Sequence, residues 1–120
     1  MSMKAVLKEM VESVDGGLGV VVIGYDGISI DEYIKEDAPV DLQLLAVEYA
    51  TVLKEIRKAV DVLNTGKMEE VSINTDVSRV IIRVLSDDLF IVFAIDHCGN
   101  YGKGRFILRC RAPRILELLR

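Results

Sequence analysis

The sequence predicts an α/β (α+β) domain with the element order α-β-β-α-β-β-β-α, and three observations predict it. Residues 3–14 and 41–65 carry apolar side chains at helical spacing. Two shorter segments, 18–25 and 89–95, are apolar on both alternating sets, as strands covered on both faces are. Short turn signals, Asp26-Gly27 and Ser86-Asp87-Asp88, join neighbouring strands and favour antiparallel pairing.

Each element follows from its own residues. In 3–14, Met3, Val6, Leu7, Met10, Val11 and Val14 share one helical face, Ser2 is placed to cap the start, and Gly16-Gly17 end it. After the strand 18–25 and the Asp26-Gly27 turn, residues 28–34 alternate, with Ile28, Ile30 and Ile34 on one side, as a half-exposed edge strand does. Pro39 ends that segment. Asp41 is placed to cap a long helix that runs to about Thr65, with Gly66 just past it.

The apolar arc of this helix (Leu42, Leu45, Ala46, Tyr49, Val52, Leu53, Ile56, Ala59, Val60, Leu63) spans roughly 140°, wider than the ~100° that one packing contact needs. Residues 68–75 alternate like a second edge strand, 79–85 are mixed, and 89–95 read as central. A glycine-rich loop, CGNYG, leads to a last helical segment through residue 119. Leu108, Ala112, Ile115, Leu116 and Leu119 share a face there, and Pro113 is expected to kink or restart the helix. Pairing consecutive strands as hairpins gives the sheet order 2-1-5-4-3, mostly antiparallel. The middle helix covers one face and the two terminal helices the other.

Composition narrows the function. The chain has 120 residues, enough for one domain over 1–120, and 51% are hydrophobic, enough for a core. A net charge of −4 offers no field to gather nucleic acid or an anionic membrane. The longest apolar runs fall short of a bilayer span, and no signal-peptide pattern opens the chain, so a cytoplasmic protein with free thiols is expected.

The hairpin VVVIGYDGISI and the passage IDHCGNYGKGRFILR, within this element order, resemble the roadblock family, which includes bacterial and archaeal regulators of Ras-like GTPases. Asn100, Gly102 and Arg105 match the family's Asn-x-Gly-x-x-Arg junction. The resemblance covers residues 3–119. It implies a homodimer through the long helix and the third strand, and a non-enzymatic module that binds and regulates a small Ras-like GTPase. Pro113 departs from the family's pattern.

The dimer interface is then expected at Ala46, Tyr49, Leu53, Val60, Val71 and Ile73. Leu53 lies at the margin of the arc and Ile56 nearer its buried centre. Lys54, Arg57, Lys58 and Asp61, with Arg105 and Arg109, are the candidate partner-facing residues. They contribute to a charged helix flank and to a basic cluster made of Lys103, Arg105, Arg109, Arg111, Arg114 and Arg120.

No catalytic, cofactor or metal site is expected. His97-Cys98 is the one nucleophile-and-base pair, but neighbours on an extended segment point to opposite faces. Cys98 and Cys110 lack structural-zinc spacing. In CGNYGKG, Lys103 is followed by Gly104, which breaks the Walker pattern. The alternative to a docking module is a small-ligand sensory domain without catalytic activity, which would need a polar-lined pocket.

Overall fold

The computed structural model describes residues 1–119. Arg120, part of the basic cluster in the sequence, lies outside them. The chain forms α1 (Met3–Ser13), β1 (Gly17–Gly24), β2 (Ser29–Ile34), α2 (Leu42–Leu63), β3 (Glu70–Asn74), β4 (Ser78–Val84), β5 (Leu89–Asp96) and α3 (Tyr101–Leu118). The order matches that predicted from the sequence, and so do two of the helix starts. Ser2 Oγ accepts from the Ala5 N–H at 3.2 Å, and Asp41 Oδ1 from the Leu44 N–H at 3.1 Å. At the end of α2, Asn64 takes the left-handed conformation ahead of Gly66.

The five strands form one antiparallel sheet in the order β2-β1-β5-β4-β3. β1 and β5 are adjacent and central, and Val21 stands opposite Val92 with both fully buried. Alternate residues of these strands feed two separate cores. Val20, Val22, Ile81, Ile91, Phe93 and Ile95 meet α1 and α3 on one face. Val21, Ile23, Val80, Ile82, Phe90, Val92 and Ala94 meet α2 on the other. Val21→Ala or Val92→Ala should each cost about 2 kcal/mol of stability, since each removes two methyl groups from a site with no access to water. Denaturant titration at fixed protein concentration measures this, and a loss under about 0.5 kcal/mol would show the site collapsing freely.

α3 differs from expectation in two places. It begins at Tyr101, so the glycine-rich stretch forms its first turn rather than a loop, with Asn100 Oδ1 accepting from the Lys103 N–H at 3.1 Å. Gly104 is buried there against Ile95, whose Cδ1 leaves no room for a Cβ. Helix packing against the sheet therefore explains a glycine that looks like a loop residue in the sequence. Nor does Pro113 restart the helix, which continues through it to Leu118. Pro113 and Arg109, whose carbonyl loses its usual partner, are both exposed, while Leu108, Ala112 and Ile115 on the buried side hold the helix to the sheet.

Candidate functional site

The two faces of the sheet are covered unequally. Five strands span about 19 Å between their outer axes, and a helix with its side chains is about 10–12 Å wide. α1 and α3 share one face: α1 packs on β1 and β2, α3 on β4 and β5, and the helices touch each other. α2 lies alone on the other face and packs chiefly over β1. The core under α2 still extends to Val80 and Ile82 of β4, both buried, and only the β3 edge of that face stays partly open.

Two stripes run along α2. Leu42, Ala46, Ala50 and Leu53 are buried in the core beneath it. Beside them, Leu45, Tyr49, Val52, Ile56, Ala59 and Leu63 recur at alternating four- and three-residue steps, the spacing of a helix–helix seam. None of these six is buried: Val52 is 45% and Leu63 70% exposed, Ala59 is exposed, and the rest are half-buried. On the same face of the sheet, Val71 and Ile73 of β3 are half-buried at the fringe of this core. β3 ends the sheet, so one side of its backbone is unpaired.

The expected interface residues therefore divide. Tyr49, Val60, Val71 and Ile73 are half-buried on or beside this open face. Ala46 and Leu53 are not available to a partner: they are 0% and 1% exposed and belong to the core. Leu53 and Ile56 exchange the positions read from the sequence, because the centre of the apolar arc is not the centre of its contact with the sheet. α2 sits to one side, and the arc's middle, Tyr49 and Ile56, stands half-buried at the margin of that contact. The alternating steps are present in the sequence, but nothing there separates them from the core stripe.

The charged candidates also divide. Lys54 and Asp61 are exposed on α2, and Lys58 is exposed beside Glu55 at 3.4 Å. Arg57 is anchored instead. Its guanidinium lies 4.6 Å from the Tyr25 ring centroid and donates to the Asp87 carbonyl at 2.6 Å, while Tyr25 packs on Phe90. Arg105 reaches across to β3 and pairs with Glu70 at 2.6 Å, and Arg83 stands 3.7 Å from the same carboxylate. The hydrogen bond to Glu70, reinforced by its charge, raises the Arg105 pKa above its ordinary value. Ser72 and Tyr101 share a hydrogen bond at 2.6 Å, a second tie between α3 and β3. Arg111 pairs with Glu9 and Arg114 with Glu117. Among the described residues of the basic cluster, Lys103 and Arg109 have no carboxylate partner. Three of the five described members, Arg105, Arg111 and Arg114, are thus paired within the chain.

The turn after β5 also departs from expectation. Residues 97–98 are not extended, and the ligating atoms of Asp96, His97 and Cys98 lie within 4.8 Å of one another. Neighbouring side chains that would diverge on a strand converge here.

No family model and no curated protein matches the sequence. Among solved structures, the chain is 41% identical to MglC from Myxococcus xanthus over 98% of both chains, with a TM-score of 0.70. The chain belongs to the roadblock family. The roadblock fold is seen again in the gliding protein MglB from Thermus thermophilus, at 15% identity over 97% of this chain and 87% of that one, with a TM-score of 0.84. A Roadblock/LC7 domain from Streptomyces avermitilis matches at 11% identity over 97% and 99%, with a TM-score of 0.75. At such identities the likeness concerns the backbone alone. Among the described residues of this roadblock chain, no helix is long and apolar enough to cross a membrane.

Proposed function

We propose that this roadblock protein is a non-enzymatic homodimer that binds a small Ras-like GTPase and regulates its nucleotide cycle. The observation that carries the reading is the half-open face between α2 and β3. A seam of apolar residues at helix-pairing intervals lies beside an unpaired strand edge and the half-buried Val71 and Ile73. A two-fold axis there would let α2 meet α2 and β3 meet β3 at once. One solved relative is described as MglB with tetrameric arrangement, which supports an assembling module without fixing this chain's own state. In the proposed dimer, Lys54, Lys58 and Asp61, exposed on the side of α2 away from the seam, face the GTPase.

The module supplies no reacting group. It acts by holding one conformation of the GTPase switch loops more tightly than the other. Arg57 and Arg105 are engaged within their own chain, which weighs against either serving as an inserted finger. The ligand-sensor alternative receives less support, because fully buried Val, Ile, Leu and Phe side chains fill both faces of the sheet.

The test is binding of the purified protein to a small GTPase encoded in the same gene neighbourhood, loaded with GDP or with a non-hydrolysable GTP analogue. At least tenfold different affinity for the two forms, about 1.4 kcal/mol, is expected. Equal affinity would leave tethering without regulation, since a partner indifferent to the two states shifts neither. The protein alone should not bind labelled GTP at micromolar concentration. Tyr101–Gly104 form a helical turn rather than a phosphate-cradling loop, and Walker spacing is absent.

A further inference from the structure

We propose that Asp96, His97 and Cys98 form a binding site for a divalent transition-metal ion of the zinc class. The inference rests on the turn that closes β5 and not on the α2–β3 seam. The three donors are a carboxylate oxygen, an imidazole nitrogen and a thiol sulfur, all within 4.8 Å of one another. Asp96 Oδ1 and His97 Nδ1 are 3.6 Å apart. Donors in a tetrahedral zinc site with bonds of about 2.0–2.1 Å stand about 3.4 Å apart, so this pair already has nearly the required separation. The sulfur has only to swing inward, and Cys98 is exposed and free.

The backbone beneath these donors is held in place. The N–H of Asp96 donates to the Gly16 carbonyl at 2.8 Å and that of His97 to the Val77 carbonyl at 3.2 Å. The Gly99 N–H donates to the Asp96 carbonyl and the Asn100 N–H to the Asp15 carbonyl, both at 2.8 Å. The Cys98 N–H donates to Asp96 Oδ2 at 3.1 Å. One carboxylate oxygen thus fixes the turn and folds Cys98 back, while the other is directed toward the imidazole. A carboxylate oriented by a hydrogen bond is the kind of outer support that ligating groups rely on.

Chemistry selects the ion. Sulfur and nitrogen donors suit zinc, cobalt(II) and their neighbours, whereas calcium and magnesium take oxygen ligands. Three ligands from the chain leave a fourth tetrahedral position to water or to a further donor. The side chains of His97 and Asp96, 49% and 38% exposed, give the ion access. Binding requires the thiolate, so Cys98 gives up its proton as the metal–sulfur bond forms.

The experiment is calorimetric titration of the full chain with Zn²⁺ in a phosphine reductant, together with optical titration with Co²⁺. One equivalent of Zn²⁺ per chain is expected at a micromolar or tighter dissociation constant, unaffected by excess Mg²⁺. Co²⁺ should produce a thiolate-to-metal charge-transfer band. Cys98→Ser should abolish that band, and Cys98→Ser and His97→Ala should each weaken Zn²⁺ at least about tenfold. Both side chains are exposed, so the fold should survive, as circular dichroism would verify. Cys110→Ser should change nothing. Absence of saturable binding below about 100 μM, or binding that persists in both variants, would overturn the site. Oligomeric state and GTPase binding are read separately, so either proposal can fail without the other.

Discussion

Ile56→Glu is expected to yield a folded monomer, whereas Leu53→Glu is expected to yield little folded protein. The two residues are three apart on α2, and the structure gives them different neighbours. Leu53 is 1% exposed, among the side chains that α2 buries on the sheet. A carboxylate there has no partner and no water, and an unpaired buried charge costs several kcal/mol, a large part of a small domain's total stability. Ile56 is half-buried in the 45-49-52-56-59-63 stripe, so a glutamate there reaches solvent in the free chain. In a two-fold dimer the same glutamate would be set into an apolar seam beside its symmetry mate. The proposed interface should bury on the order of 1,600 Å² in total, the size of a standard stable interface. Ile56→Glu should raise the dimer dissociation constant at least about 100-fold, some 2.7 kcal/mol. Light scattering over a concentration series, with circular dichroism on the same samples, measures both outcomes. A wild-type chain that remains monomeric at high micromolar concentration would sink the dimer.

Why the sequence places these two residues the wrong way round is a matter of what periodicity measures. Hydrophobic spacing reports how wide an apolar arc is, not which part of it faces the chain's own sheet. In α2 the apolar positions form two adjoining stripes, and only tertiary placement of the helix over β1 separates them. The central strands are easier to read. Segments 18–25 and 89–95 are apolar on both alternating sets, which admits burial from both sides, and the hairpin turns then leave one natural order for the sheet. Caps are legible for a similarly local reason, since Ser2 and Asp41 act on N–H groups three residues away. The start of α3 is not. Its glycines have the composition of a loop, and the fact that Gly104 lies against Ile95 depends on residues brought together only by folding. The turn at 96–98 is hidden for a different reason: the β5 pattern does not show where extended backbone stops.

Gly16→Ala is expected to destabilise the protein by about 3 kcal/mol, and Gly27→Ala by only about 1 kcal/mol, although both glycines have the same left-handed backbone. Their φ angles are +81° and +83°. Placing an L residue in this region costs roughly 1–2 kcal/mol, and that cost is common to the two variants. What differs is the space around the new methyl group. At Gly27, in the turn between β1 and β2, the nearest neighbour is Val47 Cγ1 at 3.7 Å, an ordinary contact. At Gly16 the methyl carbon would fall 2.6 Å from Gly99 Cα and 3.3 Å from Gly99 N, so backbone has to move. That movement is resisted. Asp96 N–H donates to the Gly16 carbonyl and Asn100 N–H to the Asp15 carbonyl, tying the entry to β1 against the turn that leads from β5 into α3. Forced crowding of this kind typically adds about 1–3 kcal/mol. Denaturant titrations at one protein concentration, with unchanged slopes, give the difference directly. Equal losses in the two variants would mean that the chain crossing at Gly16 and Gly99 yields freely, and with it the rigid backbone on which the 96–98 donors are held.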